Sequence, residues 1–367
     1  RRFLLSPRAS STHRRAVMPD QCARQHVVLR PLRFRFSPLT FRGFPLRGRT
    51  DGAIQRGALR RPFVRLPGSS MHLQTIVAIT DFSAAAEQAL DRAAMVAADH
   101  HARLRIHYGT DTPDPKFADP HARLEQRARQ LARRHDVAVV AARQGTGDVV
   151  ADALAATAGA DLLVMDRRAH FSWGRLLRGS PWARVLRGSR CPVLIVQNAP
   201  KCADRHVLVA VEFSETAGAL VRYAGGLQGE ARLELYHAID RRNEAKLRSA
   251  EASMQAIQAY RAEVREQARQ KMLPLATALD TRRNRVASVL GAGDPARQLA
   301  VQHEASGADL IAVGYQRRPA PVDWLMGSVA VRLVGHVQCD VLVFPRDYAL
   351  REGRTTARNC AVSGLSA

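Results

Sequence analysis

Lysine is nearly absent from this chain of 367 residues. Four lysines (Lys116, Lys201, Lys246 and Lys271) stand against 52 arginines, and with abundant alanine this bias points to a GC-rich bacterial genome before any arginine-specific chemistry. Cysteine is scarce as well. The five cysteines (Cys22, Cys191, Cys202, Cys339, Cys360) are odd in number and form no C-x-x-C pair, which argues against a closed disulfide framework and for a reducing compartment. No run approaches the 18 apolar residues of a membrane span, and no continuous apolar signal-peptide core stands near residue 1. A cytoplasmic protein with no membrane contact is expected.

Acidic residues are missing from one segment in particular. Residues 1–70 hold 16 arginines, no lysine and only Asp20 and Asp51, so much of the formal net charge of +23 sits there. Residues 71–367 carry 40 basic against 31 acidic side chains. The charge of a nucleic-acid binder therefore dissolves largely into that first segment, and nucleic acid is not the expected partner. Its phenylalanines (Phe3, Phe34, Phe36, Phe41, Phe44, Phe63) follow no period of 2 or 3.6, so no independent core is expected. Basic residues interleaved with aromatics can grip single-stranded nucleic acid, and an Arg-rich, acid-poor start can imitate a transit peptide. The weightier reading takes Met71 as the natural start, with translated upstream sequence before it.

What is present after Met71 is an alternation of strand and helix. Thr75 to Ile79 is a short apolar strand, and Ser83 caps an Ala-rich helix reaching about His100. Leu104 and Ile106 mark a second strand. Asp119-Pro120 then opens a helix with Leu124, Ala128, Leu131 and Ala132 on one face. Val137 to Ala141, a helix from about Asp148, Leu162 to Val164, a helix from about Gly179, and Val193 to Val196 complete the unit. Continuously apolar strands separated by helices indicate a doubly wound α/β fold, its parallel sheet covered on both faces.

The unit then repeats. Ala102-Arg103-Leu104-Arg105-Ile106 returns as Ala231-Arg232-Leu233-Glu234-Leu235, Gly159-Ala160-Asp161 as Gly307-Ala308-Asp309, Gly179-Ser180 as Gly327-Ser328, and Cys191-Pro192-Val193-Leu194 as Cys339-Asp340-Val341-Leu342. Two tandem copies follow, over residues 71–198 and 205–346, with a C-terminal tail over 347–367. Copy two has gained about 19 residues, most of them before Gly293. Glu244 to Lys271 contains no Pro or Gly, so the insertion is expected to lengthen the second helix until Pro274, by roughly 25 Å, as an arm over one sheet face.

The chemistry concentrates near the repeated glycines. In copy two the strand from Leu310 runs into Gly314, and Gly327-Ser328 opens the next helix. A glycine lets backbone approach a ligand, and a helix start offers free N–H groups, a hydroxyl and a positive dipole end that suit phosphate. With these residues the two copies resemble tandem universal stress protein domains, of the adenine-nucleotide-binding α/β superfamily, over about residues 71–346. The family pattern is an acidic residue ending strand one, a G-x-P before helix three, and a loop written G-x2-G-x9-G-[S/T]. Copy two matches at Gly293-Asp294-Pro295, Gly314 and Gly327-Ser328, followed by Val329-Ala330. It departs at Arg317, in place of the middle glycine, and at Glu212, in place of the usual Asp. Arg317 would crowd the loop, although its charge can also meet phosphate.

Copy one keeps Asp81 and Gly179-Ser180 but has Asp166 where Gly314 stands and Ala169 at the middle position. A carboxylate there repels phosphate, and Pro181, Trp173 and Trp182 suggest a filled pocket. The resemblance is to E-type tandem members, with copy one the degenerate half. It implies a nucleotide site at Glu212, Gly314, Arg317, Gly327, Ser328 and Val329, with ATP as the candidate ligand, and a degenerate site at Asp81, Asp166, Gly179 and Ser180. Each signal also has a plainer meaning: Gly-Ser as a helix cap, Asp81 and Glu212 as bonds to local backbone. Cys191 and Cys339 read as small buried residues.

No histidine or carboxylate spacing suggests a metal site, and His100-His101, His135, His206, His237, His303 and His336 read as solvated or core-edge residues. The expected function is a stress-response, ligand-sensing interaction protein, not an enzyme. A protein-interaction scaffold with both pockets filled is the rival, and a slow ATP hydrolase the weaker one. The copies are expected to pair through Val193 to Val196 and Val341 to Phe344, as separate subunits do in the family. A homodimer is a further option, and protein partners are unidentified.

Overall fold

The computed structural model describes residues 71, 73–110, 119–142, 148–167, 181–200, 205–277, 286–315 and 329–348. Copy one runs β1 (Thr75–Thr80), α1 (Ala84–His100), β2 (Arg103–Tyr108), α2 (Pro120–His135), β3 (Val139–Ala141), α3 (Val149–Ala156), β4 (Leu162–Asp166), α4 (Pro181–Gly188) and β5 (Val193–Val196). Copy two runs β6 (His206–Ala210), α5 (Ala217–Leu227), β7 (Arg232–Ile239), α6 (Arg242–Ser249), α7 (Met254–Thr277), β8 (Val286–Ala292), α8 (Pro295–Ser306), β9 (Leu310–Tyr315), α9 (Val329–His336) and β10 (Asp340–Pro345).

The helix starts follow from local chemistry. Ser83, Asp119, Asp148 and Asp294 each stand in extended backbone and accept a hydrogen bond from an N–H of the first turn, satisfying donors that the helix itself cannot. The repeated Gly-Ala-Asp is a second local device. Gly159 and Gly307 hold φ of 73° and 66°, a region open to glycine at little cost. Two residues later, Asp161 Oδ2 accepts the N–H groups of Gln74 and Thr75 at 2.7 and 2.9 Å, and Asp309 Oδ2 accepts those of Arg205 and His206 at 2.9 and 3.0 Å. Each carboxylate pins the entry of its copy's first strand.

The strands form one sheet of ten, in the order β3-β2-β1-β4-β5-β10-β9-β6-β7-β8. Neighbours are parallel except at the join, where β5 and β10 pair antiparallel with Leu194 opposite Leu342. Those two leucines are equivalent residues of the copies, so a local twofold axis passes between them. The expected pairing of the last strands is what the structure shows.

Alternate strand residues feed opposite faces. Ile76, Ala78, Leu310 and Ala312 pack in one core cluster with residues of α1, α2, α5 and α7, whereas Val77, Ile79, Ile311 and Val313 pack in the other with residues of α3, α4, α8 and α9. Both clusters run across the two copies. At about 25 cal/mol per Å² of buried apolar surface, this three-layer burial is the main stabilising term.

The insertion departs from expectation. It is not one lengthened helix ending at Pro274 but two helices, and α7 continues through Pro274 to Thr277. The break needs neither Pro nor Gly: Glu251 takes φ 54°, its N–H donates to the Arg248 carbonyl and the Ala252 N–H to that of Leu247 to close α6, and Ser253 Oγ accepts Ala256 N–H at the start of α7. Pro274 sits in the last turn, where few bonds remain to be lost. Only the C-terminal part of α7, through Met272, Leu275 and Ala276, joins the sheet core. Glu244 of α6 pairs with Arg248 and with Arg261 of α7. The third strand is also shorter than expected, starting at Val139 instead of Val137.

Candidate functional site

In copy two the parallel strands deliver Glu212, two residues beyond β6, and Gly314, inside β9, to the same sheet edge. Both line a narrow cleft with Ser214, Thr216, Tyr315 and Arg346. Among the described residues, a Cβ built on Gly314 would meet only Leu220 Cδ2, at 3.9 Å. The cleft is small. Its volume of about 30 Å³ equals the share of one water in the liquid. Arg346 lies 3.9 Å from Glu215, and Ser214 Oγ is 3.2 Å from Thr216 Oγ1.

Val329 opens α9, and its half-buried side chain packs against the core. Arg317, Gly327 and Ser328 lie outside the described residues, so the Gly-Ser helix start stands only as a sequence reading. The G-x-P segment is structural. Gly293 turns the chain at φ 131°, and Asp294 caps α8 through Arg297 N–H at 3.0 Å. Its carboxylate also receives both guanidinium arms of Arg332, at 2.8 and 3.2 Å, tying α8 to α9. That bonding holds the Asp294 carboxyl below the usual carboxylate range.

Copy one presents the same edge differently. Asp81 follows β1, and its Oδ1 accepts Ser83 N–H at 2.8 Å, the local backbone bond that the sequence offered as the plainer meaning. Asp166 is the last residue of β4 and is buried, so a carboxyl stands where copy two has Gly314. Gly179, Ser180, Ala169, Trp173 and the side chains of Pro181 and Trp182 lie outside the described residues.

Both copies build a layered stack that the sequence reading missed. Phe82, at φ 63°, stacks on Tyr108 with ring centroids 5.0 Å apart, and Arg123 covers it at 4.8 Å. In copy two Phe213 lies against His237 with centroids 4.1 Å apart and the rings tilted by 35°, and Lys271 of α7 lies 5.6 Å from the Phe213 ring. His237 Nδ1 sits 2.8 Å from the Val211 carbonyl, which can only accept, so the proton is on Nδ1. The available signal was the repeated acidic-Phe-Ser turn, with an aromatic or imidazole ring near each second strand's end.

The histidines divide. His100 is buried, and its Nε2 lies 3.2 Å from the Leu227 carbonyl of copy two. His206 Nε2 lies 3.1 Å from Glu234 of β7. Of the two readings offered for the histidines, solvated or core-edge, both take the core edge. Cys191 and Cys339 are buried and form no disulfide, as small buried residues were expected to be, and burial pushes the Cys191 thiol up to about 11. Among the described residues no group of three or more His, Cys, Asp or Glu could hold a metal ion, and no helix is long and apolar enough to cross a membrane.

Comparison with known proteins agrees with this architecture. No protein of curated function matches the chain. Solved structures do. A universal stress protein from Archaeoglobus fulgidus DSM 4304 is 18% identical with a TM-score of 0.53, covering 75% of this chain and 98% of its own. A functionally unknown protein from Pseudomonas aeruginosa PAO1 is 18% identical with a TM-score of 0.52, covering 78% and 98%. A putative universal stress protein from Pseudomonas aeruginosa UCBPP-PA14 is 18% identical with a TM-score of 0.50, covering 76% and 96%. At that identity they speak for the fold alone. The sequence model of the universal stress protein family matches twice, over residues 72–197 and 204–345. With its repeated glycine turns, its doubly wound halves and two family matches end to end, this chain belongs to the universal stress protein family.

Proposed function

We propose that this chain is a stress-response protein that senses a nucleotide, with ATP the first candidate, through copy two, and that it signals by interaction instead of turnover. Copy one then serves as a degenerate partner. The observation that carries this reading is the contrast at one position. Gly314 puts no side chain at the copy-two sheet edge, whereas the equivalent Asp166 puts a buried carboxyl at that of copy one. An anionic phosphate is repelled by the second and admitted by the first. Arg346 in the same cleft supplies positive charge.

The narrowness of the cleft favours a second reading, a protein-interaction scaffold with no nucleotide bound. Mass spectrometry of small molecules released from the purified protein separates the two: co-purified ATP supports sensing, and none supports the scaffold. Calorimetric titration with ATP then locates the site. Gly327→Val places a branched side chain where phosphate must meet backbone N–H groups. Losing two hydrogen bonds to a charged group, each about 1.5 to 3 kcal/mol, weakens binding at least about a hundredfold. Gly179→Val is expected to leave it unchanged. Equal weakening by both, or weakening by Gly179→Val alone, assigns the pocket to the wrong copy. An assay for released phosphate tests the absence of turnover.

A further inference from the structure

The join between the copies is nearly symmetric, yet one pair of charges breaks the symmetry. Asp340, at the start of β10, is buried, and its Oδ2 lies 3.5 Å from Nε of Arg92, a residue of α1 that is 2% exposed. Its Oδ1 accepts the Gln197 N–H at 2.9 Å. Both partners belong to copy one.

The repeat gives each of these residues a counterpart. Asp340 corresponds to Pro192, Gln197 to Pro345 and, counted from the Asp81-Phe82-Ser83 and Glu212-Phe213-Ser214 turns, Arg92 to Tyr223. Tyr223 is buried at the same join, where its hydroxyl donates to the Asp161 carbonyl of copy one at 2.8 Å. Now let the same edge join two like copies. In a copy-two pair, Asp340 would face Tyr223 instead of Arg92, and Pro345, which has no N–H, instead of Gln197. Its carboxylate would be buried with neither partner. In a copy-one pair, Pro192 would stand in place of the carboxylate that Arg92 and the Gln197 N–H approach. Only the unlike pair sets Asp340 against both Arg92 and the Gln197 N–H.

We propose that Asp340 and Arg92 form a recognition lock that makes copy one accept copy two and reject its own kind, so that the apolar edges β5 and β10 join unlike copies instead of like ones. A buried ion pair is a weak source of net stability, because desolvating both charges offsets their attraction, but leaving one of them alone is heavily unfavourable. That asymmetry makes such a pair a discriminator. Burial in fact raises the Asp340 carboxyl above the usual range despite Arg92, with Asp309 adding to the effect. The pair acts against wrong partners more than for the fold.

Two sets of variants of the full chain test the lock. In the first, Arg92→Asp and Asp340→Arg are made singly and together, and amide exchange is followed along β5 and β10. Each single reversal is expected to speed exchange there at least about tenfold, or to prevent folding, and the double reversal to restore the parent's protection within about threefold. Failure of the double reversal to improve on the singles overturns the lock, as do singles that exchange like the parent. In the second, Arg92→Leu with Asp340→Leu removes the discriminator while keeping the join apolar. Light scattering across a hundredfold range of concentration is expected to show associated species absent from the parent. A mass distribution identical to the parent's at every concentration overturns the selective role.

Discussion

Copies one and two share a strand order, the Asp cap of α3 and α8, an Asp that pins the first strand and a Phe ring layered on a second ring, yet their sheet edges are chemically opposite. One edge ends in the buried Asp166 and the other opens at Gly314. The difference lies in the few residues at the strand ends and spares the frame that carries them. A scaffold held by backbone geometry and apolar burial tolerates divergence where only a ligand would notice it. The inserted α6 and α7 extend the contrast, since α7 brings Lys271 over Phe213, whereas α2 brings Arg123 over Phe82 from its first turn.

The sharpest way to break the likeness is at the shared Asp. Asp161→Ala and Asp309→Ala each remove an acceptor of two backbone N–H groups, and each is expected to lower the unfolding free energy by about 2 to 3 kcal/mol in denaturant titrations. Losses differing by more than about 1 kcal/mol would show that the repeated geometry does not carry equal energy in both copies. Next in size, Gly314→Asp makes the copy-two edge resemble copy one. Since, among the described residues, only Leu220 approaches that position, melting should barely change while ATP affinity falls about a hundredfold. Melting that drops together with affinity would assign the effect to packing.

A smaller effect belongs to the α8 to α9 tie. The Asp294 carboxyl is held below its ordinary value by Arg332, so its contribution is present at neutral pH and is lost as pH falls through that lowered value. The pair is partly exposed, and Asp294→Asn is expected to cost no more than about 1 kcal/mol at pH 7. Melting curves of parent and variant should converge below about pH 3, and a gap that persists there would refute the electrostatic origin. The smallest effect is at Cys191. With its thiol raised from 9.0 to about 11, its contribution is complete below about pH 9 and is lost between 9 and 11. Peptide mapping after alkylation at pH 8 should find Cys191 unmodified until the chain unfolds. Rapid modification in the native chain would contradict its burial.

Much of the frame was legible because its causes are local. Ser83, Asp119 and Asp148 announce helix starts, the apolar runs announce buried strands, and the second Gly-Ala-Asp announces the second copy. The break at Glu251 was not legible, for a left-handed Glu carries no signature of its own, although Ser253 was available as a cap. Arg92, Asp340 and His100 were missed for a different reason. Their partners lie more than a hundred residues away across the join, and no pattern within either copy marks a charge that will be neutralised by the other. At the site, Glu212 and Gly314 were placed together by topology, whereas Arg346 became visible only once β10 was set beside β9.

Because β5 and β10 run antiparallel while every other described neighbour is parallel, the carboxyl ends of the strands in copy one point opposite to those in copy two. The strand-end rims of the two copies therefore face opposite sides of a single sheet. A partner held at one rim leaves the other open, and what links the rims is the hydrogen-bonded seam at Leu194 and Leu342 together with the two core clusters that run across the copies.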